Sequence, residues 1–510
     1  MALYQPMGKV LHKCAERFSD RPFLTLAPQG ETYTYAAFET LTNRIAHGLR
    51  DTVSDLPTHI ALLLENSAEY LAATYALKKL DIVEVSVNRA FRGPALVRAI
   101  GLTKTPILIT SQAHFDALGA ILGQLPDLRR IVVTDGFQEA RRRFTDQSVI
   151  AFEDILSEKT HHIQSSADDL APAAVMFTSG TTGLSKGCVL SHRYGVRTAE
   201  NVVKAFRVTG EDTIYSPYPL SHIGPAYYDV LPSMLTGGQV VLRDGFSLSQ
   251  FWTEINRFGV TWFLMLGSVQ QLLWSAEPSQ AETGHKVTRC WSTPAPVPKD
   301  KWEARFDMRL IPGGGYGSTD AGWVVCPQWD HPGGIVFPEF EIGVAGEDGA
   351  HLPKGSVGEL VVRPKEAGVM SDAYFGMPEK TAETRKNGWF YTGDIARIDE
   401  DGLFYFVCRK AERIRVKGEM VSGAEVEEGI VLHPDVEDCA VIGVPSALGE
   451  EEVKAFVTLK PGRCLTTEAL QAHCRPVMAK YMVPTQVVFL DEIPRTPTGK
   501  PEKGALAAYD

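Results

Sequence analysis

The densest run of reactive residue types is VMFTSGTTGLSKGCVLSH, Val175 to His192. An apolar stretch breaks into hydroxyl residues and glycines, and then a lysine follows. Thr178, Ser179, Thr181 and Thr182 supply hydroxyl donors, Gly180 and Gly183 let the backbone turn its N–H groups inward, and Lys186 adds a positive charge. Such a concavity, placed directly after a buried strand, suits the phosphates of a nucleotide. It is not a Walker A loop, which needs G-x-x-x-x-G-K-[ST], because Ser185 precedes Lys186.

Four further segments carry candidate chemistry, and each is weak when read alone. His222 in YPLSHIGP has no second ligand four residues on, so a metal role is poor. Thr319-Asp320 in GGGYGSTDAG reads by itself as a helix cap. Asp394 in GWFYTGD reads as a turn residue, and Lys500 in PRTPTGKPEK as a lysine of an exposed tail. Between these last two lies RKAERIRVKGEMVSGAEVE, from Arg409 to Glu427.

Taken with the first loop and in this order, the segments resemble the motifs of the AMP-forming adenylating superfamily: acyl-CoA synthetases, stand-alone adenylation domains and firefly-luciferase-like enzymes. The resemblance spans nearly the whole chain. LLLENSAEYLAATYALKKL and NRAFRG also resemble the acyl-CoA and carnitine-CoA ligase branch. It implies an enzyme, an AMP-forming acid–thiol ligase. A carboxylate attacks the α-phosphorus of ATP to give acyl-AMP and pyrophosphate, and a thiol, usually coenzyme A, then displaces AMP. Fixed cations and N–H dipoles would stabilise the charge that builds on the phosphates, with Mg2+ expected there.

Roles follow by the same resemblance. The 178–186 loop would cradle the β- and γ-phosphates. Thr319 would touch the α-phosphate, and Asp320, where the family usually has glutamate, would be the carboxylate near magnesium. Gly315, Tyr316 and Gly317 would complete the nucleotide wall. Asp394 would accept from the ribose hydroxyls, with Arg409 assisting there and at the domain junction. Lys500 would enter the site during adenylation, and the small domain would then rotate to admit the thiol past Lys417, Gly418 and Glu419. His222 would gate the pocket near the attacking carboxylate. Two departures stand out: Ala411 where the hinge usually has Asp or Lys, and CWSTPAP (290–296) where relatives commonly show Gly-Gly-Ala-Pro.

Tyr227, Trp262, Phe263, Gly267, Trp291, Gly313 and Gly314 are the acyl-pocket candidates. Aromatic walls with glycine gaps suit a medium-to-large hydrophobic acid, whether fatty, aryl or polycyclic terpenoid. Trp291 reads equally as a structural tryptophan. A small polar, carnitine-like acid is the alternative from the branch resemblance. Amino-acid-activating relatives place an aspartate where this chain has His222, and Asp229 comes seven residues later, which disfavours an amino acid. A separate carrier protein could replace CoA as acceptor, since no carrier module follows Lys500. A non-catalytic binder is disfavoured by the intact Lys186, Thr319, Asp394, Arg409 and Lys500.

The elements that must position these residues are legible as alternating strands and helices. HIALLLEN (59–66), TPILITS (105–111), RIVVTD (130–135), AAVMFTS (173–179), GQVVLRD (238–244) and TWFLML (261–266) read as buried strands. The stretch 67–80 reads as a helix, and such alternation predicts βαβ units with largely parallel sheets. After about residue 335 Gly-rich turns and alternation predict hairpins. The expected fold is α/β: a large body of stacked βαβ sheets with a β-rich subdomain over 1–408, and a small α+β lid over 409–510, which the resemblance makes mobile. Ser422 with Glu425 three residues on predicts a helix start in the lid.

With 510 residues, 44% hydrophobic and 22% charged, the chain is long enough for a large core. A net charge of −11, from 51 basic and 62 acidic residues, argues against nucleic acid as a default partner. The eight cysteines form no CxxC pair, which suits a reducing compartment and argues against a zinc site. The N-terminus has no apolar core of a signal peptide, and no apolar run reaches membrane-spanning length. A cytoplasmic monomer or homodimer is the expectation.

Overall fold

The computed structural model describes the chain apart from residues 1–4, 54, 179–185, 411–412, 417–418, 446–450, 496–500, 508 and 510. It divides into two compact units. The first comprises Met1–Ser179, Leu184–Glu341 and Arg363–Gly388, and the second includes Ile342–Val362 and Trp389–Asp510.

Two seven-stranded sheets organise the first unit. In one, the strands Ser148–Ala151, Arg130–Val133, Ile107–Thr110, His59–Leu63, Val83–Ser86 and Pro172–Phe177 run parallel in that spatial order, and Gly187–Ser191 closes the edge antiparallel to the last. In the other, Arg309–Pro312, Arg289–Thr293, Trp262–Leu266, Thr213–Ser216, Gln239–Arg243 and Pro22–Ala27 are parallel, with Glu31–Thr34 antiparallel at the edge. All six strands expected from sequence are present. Four- to six-residue runs that are apolar on both faces pack as parallel strands under helices. The helix expected at 67–80 is Ala68–Lys79, capped by the Ser67 hydroxyl, which accepts from the Tyr70 N–H.

Parallel strands all end on one side, and loops at their carboxyl ends form a crevice suited to ligands. Those loops are the motif segments. Thr178 follows Pro172–Phe177, the 218–225 stretch follows Thr213–Ser216, Gly267 follows Trp262–Leu266, Pro294 follows Arg289–Thr293, and Gly313 follows Arg309–Pro312.

His192, at the start of the helix His192–Phe206, is a pH-sensitive fastener of this unit. It is almost fully buried, and its Nδ1 accepts the Met7 N–H at 3.2 Å. Burial, aided by Lys78, holds the imidazole down to about 4 from an ordinary 6.5. Between those values the unfolded chain binds a proton that the folded chain refuses, so stability is full above pH 6.5 and falls as pH drops towards 4, by roughly 3 kcal/mol in all. Denaturant unfolding as a function of pH should show that acid limb, and His192→Asn should flatten it. An unchanged limb in the variant would assign it to other groups.

The second unit is built on an antiparallel sheet of Phe340–Ala345, Val357–Pro364, Trp389–Ile398 and Phe404–Arg409. The EDG turns expected from sequence are there: Gly402 takes φ +84°, and the Asp399 carboxylate accepts the Leu403 N–H at 2.8 Å. A second core gathers the hairpin Val436–Pro445/Glu451–Leu459, the parallel strand Gln486–Phe489 and two helices. The first helix, Gly423–Val431, is capped by Ser422, whose hydroxyl accepts from the Glu425 N–H as expected from sequence.

Candidate active site

The first unit gathers its motif residues through a tyrosine that sequence reasoning passed over. The ends of the phosphate loop are tied by paired strands: the Thr178 N–H donates to the Lys186 carbonyl at 3.0 Å, and the Lys186 N–H to the Thr178 hydroxyl at 3.3 Å. Ser179, Gly180, Thr181, Thr182 and Gly183 lie outside the described residues. Lys186 Nζ donates to the Tyr374 hydroxyl at 3.0 Å. The Tyr374 ring is buried, and its phenol is pushed well up by that burial and by the Asp320 carboxylate against it. A chain therefore runs from the loop lysine through Tyr374 to Asp320. The buried Cys188 thiol meets the same carboxylate, and Arg385 lies over the Tyr374 ring at 5.3 Å.

Thr319 and Asp320 occupy the tight turn between the antiparallel strands Tyr316–Ser318 and Gly322–Cys326. Its backbone is fixed from below. The buried Tyr194 hydroxyl donates to the Ser318 and Thr319 carbonyls at 3.2 and 3.1 Å, and the Ser371 N–H donates to the Asp320 carbonyl at 2.9 Å. Gly317 is required by close approach, since a Cβ there would lie 2.9 Å from the Gly322 carbonyl oxygen. Asp320 is 9% exposed, and its Oδ1 has no hydrogen-bond partner among the described residues. A buried acceptor left open beside a lysine-bearing phosphate loop fits Mg2+, which prefers carboxylate oxygen shared with substrate phosphates.

His222 is half-buried, with Nε2 3.3 Å from Asn88 Nδ2. Asn88 follows the strand Val83–Ser86 and was legible only as part of NRAFRG.

The acyl-pocket candidates do not share one wall. Trp262 and Phe263 are neighbours in a strand and face opposite sides of the sheet. Trp262 stacks on Phe206 at 5.2 Å, whereas Phe263 is buried in the core with Phe251 and Trp252. Tyr227 turns inward, lining a small cavity with Lys78, Glu84, Met176 and Leu220. The next residue, Tyr228, instead meets Trp323 edge-on at 4.6 Å and approaches Gly317. Trp291 is buried beside Trp323 at 5.0 Å, and its indole N–H donates to the Gly313 carbonyl at 3.2 Å. Gly267 offers no gap, because a Cβ there would meet the Pro294 carbonyl oxygen at 2.9 Å. A Cβ on Gly315 would lie 3.2–3.4 Å from Pro327, Trp291 and Trp323, and one on Gly314 3.0 Å from the Pro332 carbonyl oxygen, while Gly313 faces open space. Tyr316 is buried in its strand. Asp229 is fully buried, its carboxyl accepting from Ser216 at 2.6 Å and pushed well up by burial. Fully buried and engaged by Ser216, that carboxyl is poorly placed to receive a substrate ammonium group.

In the second unit Asp394 and Arg409 face each other across the strands Trp389–Ile398 and Phe404–Arg409, with Arg409 Nε 3.0 Å from Asp394 Oδ1. Asp394 is 2% exposed. Gly393, at φ +73°, turns the strand, and its N–H donates to Glu359 at 3.1 Å. The Asp394 N–H donates to Thr392, whose hydroxyl donates to the Leu360 carbonyl. Glu419 opens the strand Glu419–Ser422. Lys417, Gly418, Ala411 and Lys500 lie outside the described residues.

Residues 11–372 match the AMP-binding enzyme family, and residues 425–500 match the AMP-binding enzyme C-terminal domain. The chain belongs to the AMP-binding enzyme family. A crotonobetaine/carnitine–CoA ligase of Proteus mirabilis is 30% identical to this AMP-binding enzyme over 489 residues, covering 92% of each chain. A feruloyl-CoA synthase of Amycolatopsis sp. is 29% identical over 487 residues, covering 94% of each. The anthranilate CoA ligase AuaEII, solved with anthranoyl-AMP, superposes with a TM-score of 0.89 at 24% identity, covering 100% of this chain and 98% of that one. That likeness is one of fold, and it establishes the adenylating-enzyme α/β architecture expected from the motifs. The enzyme class is the AMP-forming acyl-CoA ligase. No helix among the described residues is long and apolar enough to cross a membrane.

Proposed function

We propose that this AMP-binding enzyme joins a compact aryl carboxylic acid to coenzyme A at the expense of ATP. Within the hydrophobic acids that the sequence suits, the observation that carries the aryl reading is the packing behind Gly315. The indoles of Trp291 and Trp323, 5.0 Å apart, lie 3.3 and 3.4 Å from where a Cβ on Gly315 would stand, which suits a short flat acid better than a long chain or a polycycle. Tyr228 adds a third aromatic surface. Flat aromatic groups stack favourably on such walls.

In the first half-reaction an acid oxygen bonds to the α-phosphorus as the bond to the β-phosphate oxygen breaks. Lys186 and the 178–186 loop hold the departing pyrophosphate, Thr319 holds the α-phosphate, and Asp394 with Arg409 holds the ribose. Asp320 would hold Mg2+, which when bound neutralises phosphate charge. Tyr374 keeps Lys186 and Asp320 in register. In the second half-reaction the thiol sulfur bonds to the acyl carbon, and the acyl–oxygen bond to AMP breaks. The lid, residues 409–510, brings in Lys500 for the first step and Lys417, Gly418 and Glu419 for the second. The setting is a cytoplasm, where CoA and ATP are supplied.

The test is acid-dependent pyrophosphate release over a panel of benzoates, cinnamates, fatty acids, bile-type acids and carnitine, with and without CoA. Steady turnover with a one-ring acid only when CoA is present supports the reading. A burst that CoA does not relieve would point to a carrier-protein acceptor, and preference for carnitine to a small polar acid. Trp291→Ala should move the kcat/KM ratio towards bulkier acids by about tenfold or more, as expected for a freed pocket volume. An unchanged ratio would make Trp291 purely structural.

A further inference from the structure

Two asparagines at strand ends of one sheet reach the segment of the other sheet that carries His222. Asn66 follows the strand His59–Leu63 and Asn88 follows Val83–Ser86, whereas residues 218–225 follow Thr213–Ser216. Asn66 commits its whole amide to main chain. Its Nδ2 donates to the Tyr218 carbonyl at 2.7 Å and to the Arg243 carbonyl at 2.9 Å, and its Oδ1 accepts the Leu220 N–H at 2.9 Å. The His222 N–H donates to the Pro219 carbonyl at 3.0 Å. The backbone that presents the imidazole is fixed by these bonds.

Asn88 holds the ring. Its Oδ1 accepts the Ala90 N–H at 2.9 Å, an Asx turn that settles which end of the amide is oxygen. Turned over, the amide would set two donors against each other there. Nδ2, a donor only, therefore faces the ring, 3.3 Å from His222 Nε2. A ring nitrogen that meets a donor presents its lone pair, so Nε2 is bare and the proton of the neutral ring sits on Nδ1.

The place of the ring gives that tautomer a use. The strand before Asn88 pairs with Pro172–Phe177, whose carboxyl end begins the phosphate loop. His222 is tethered one strand away from that loop, in the crevice through which an acid must approach the α-phosphate. An ionised carboxylate accepts hydrogen bonds and donates none. An Nδ1–H orients it, and a bare Nδ1 repels it. We propose that Asn88 is a positioning residue that keeps the proton of His222 on Nδ1, so that the imidazole meets the acid substrate as a hydrogen-bond donor. The donor role rests on the acid-activating function proposed above, whereas the position of the proton does not.

The experiment reads the ring nitrogens directly, by nitrogen-15 NMR of the full-length chain labelled in histidine, at a pH of about 8.5, above the ordinary histidine range. His222→Gln identifies the signals of that ring among the 13 histidines. The parent should show a bare Nε2 and a protonated Nδ1. Asn88→Asp keeps an acceptor for the Ala90 N–H and turns a carboxylate oxygen to the ring, so it should move the proton to Nε2. The same variant should raise KM for the acid by about tenfold or more, the loss expected for one hydrogen bond to a charged group, and leave KM for ATP unchanged. Asn88→Ala releases the tautomer without adding charge and should raise KM for the acid by a smaller factor. A proton on Nε2 in the parent, or a proton that stays on Nδ1 in Asn88→Asp, would overturn the role of Asn88, and both are read whether or not the acid panel finds a substrate. A tautomer that switches while Asn88→Ala leaves KM for the acid unmoved would overturn the donor role and leave the ligase reading standing.

Discussion

Lys500→Ala lowers acid-dependent pyrophosphate release by about a hundred- to a thousandfold, the usual consequence of deleting one donor aimed at transition-state charge. Negative charge concentrates on the α-phosphate and the attacking carboxylate only while the acyl-AMP bond forms. If Lys500, on the PRTPTGK segment, enters at that point as proposed, it acts on that step alone. The conversion of supplied acyl-AMP and CoA to thioester involves no bond change at phosphorus, so it should keep its rate in the variant. Lys500→Arg should recover part of the first step, because the charge is retained while its position shifts. Equal loss in both half-reactions would mean a damaged lid, and no loss in either would remove Lys500 from the chemistry.

The second large effect is expected at Asp320. Asp320→Asn preserves shape and removes the negative charge from a side chain that is 9% exposed, with Oδ1 lacking a partner among the described residues. If that oxygen is kept for Mg2+, pyrophosphate release should fall by about a hundredfold or more, and the Mg2+ concentration needed for half-maximal rate should rise. Stability should stay level or increase, since a site built around an unsatisfied acceptor is a local weakness of the fold. Tyr374→Phe should show a smaller loss, because the carboxylate and Lys186 remain while the hydroxyl that links them is gone. A drop in thermal midpoint with unaltered Mg2+ dependence would make Asp320 a structural turn residue.

What the sequence by itself determined is local or ordered along the chain. The Thr319-Asp320 turn, the Thr-Gly-Asp strand and the capped helix at Ser422 are short patterns whose residue types dictate their own backbone. Buried strands announce themselves as apolar runs of four to six residues, so the parallel architecture and its carboxyl-end loops were readable in advance. The tertiary structure alone decided which side chains meet. Trp262 and Phe263 carry the same apolar label, yet a strand sends neighbours to opposite faces, and only the pairing of the sheet says which face looks into the site. Tyr227 and Tyr228 differ by one step of a helical turn, which puts one against the core and the other against Trp323. Gly267 resembles a gap until Pro294, from a neighbouring strand end, is seen to fill it. Tyr374 joins Lys186 to Asp320 from 188 residues away in sequence, and Asn66 and Asn88 reach the His222 segment from strand ends of the other sheet. Periodicity and motif spacing encode how a segment folds on itself. They carry no information on the rotation and register at which distant segments dock, and the packing that sets those also sets the pocket, the linking tyrosine and the two asparagines.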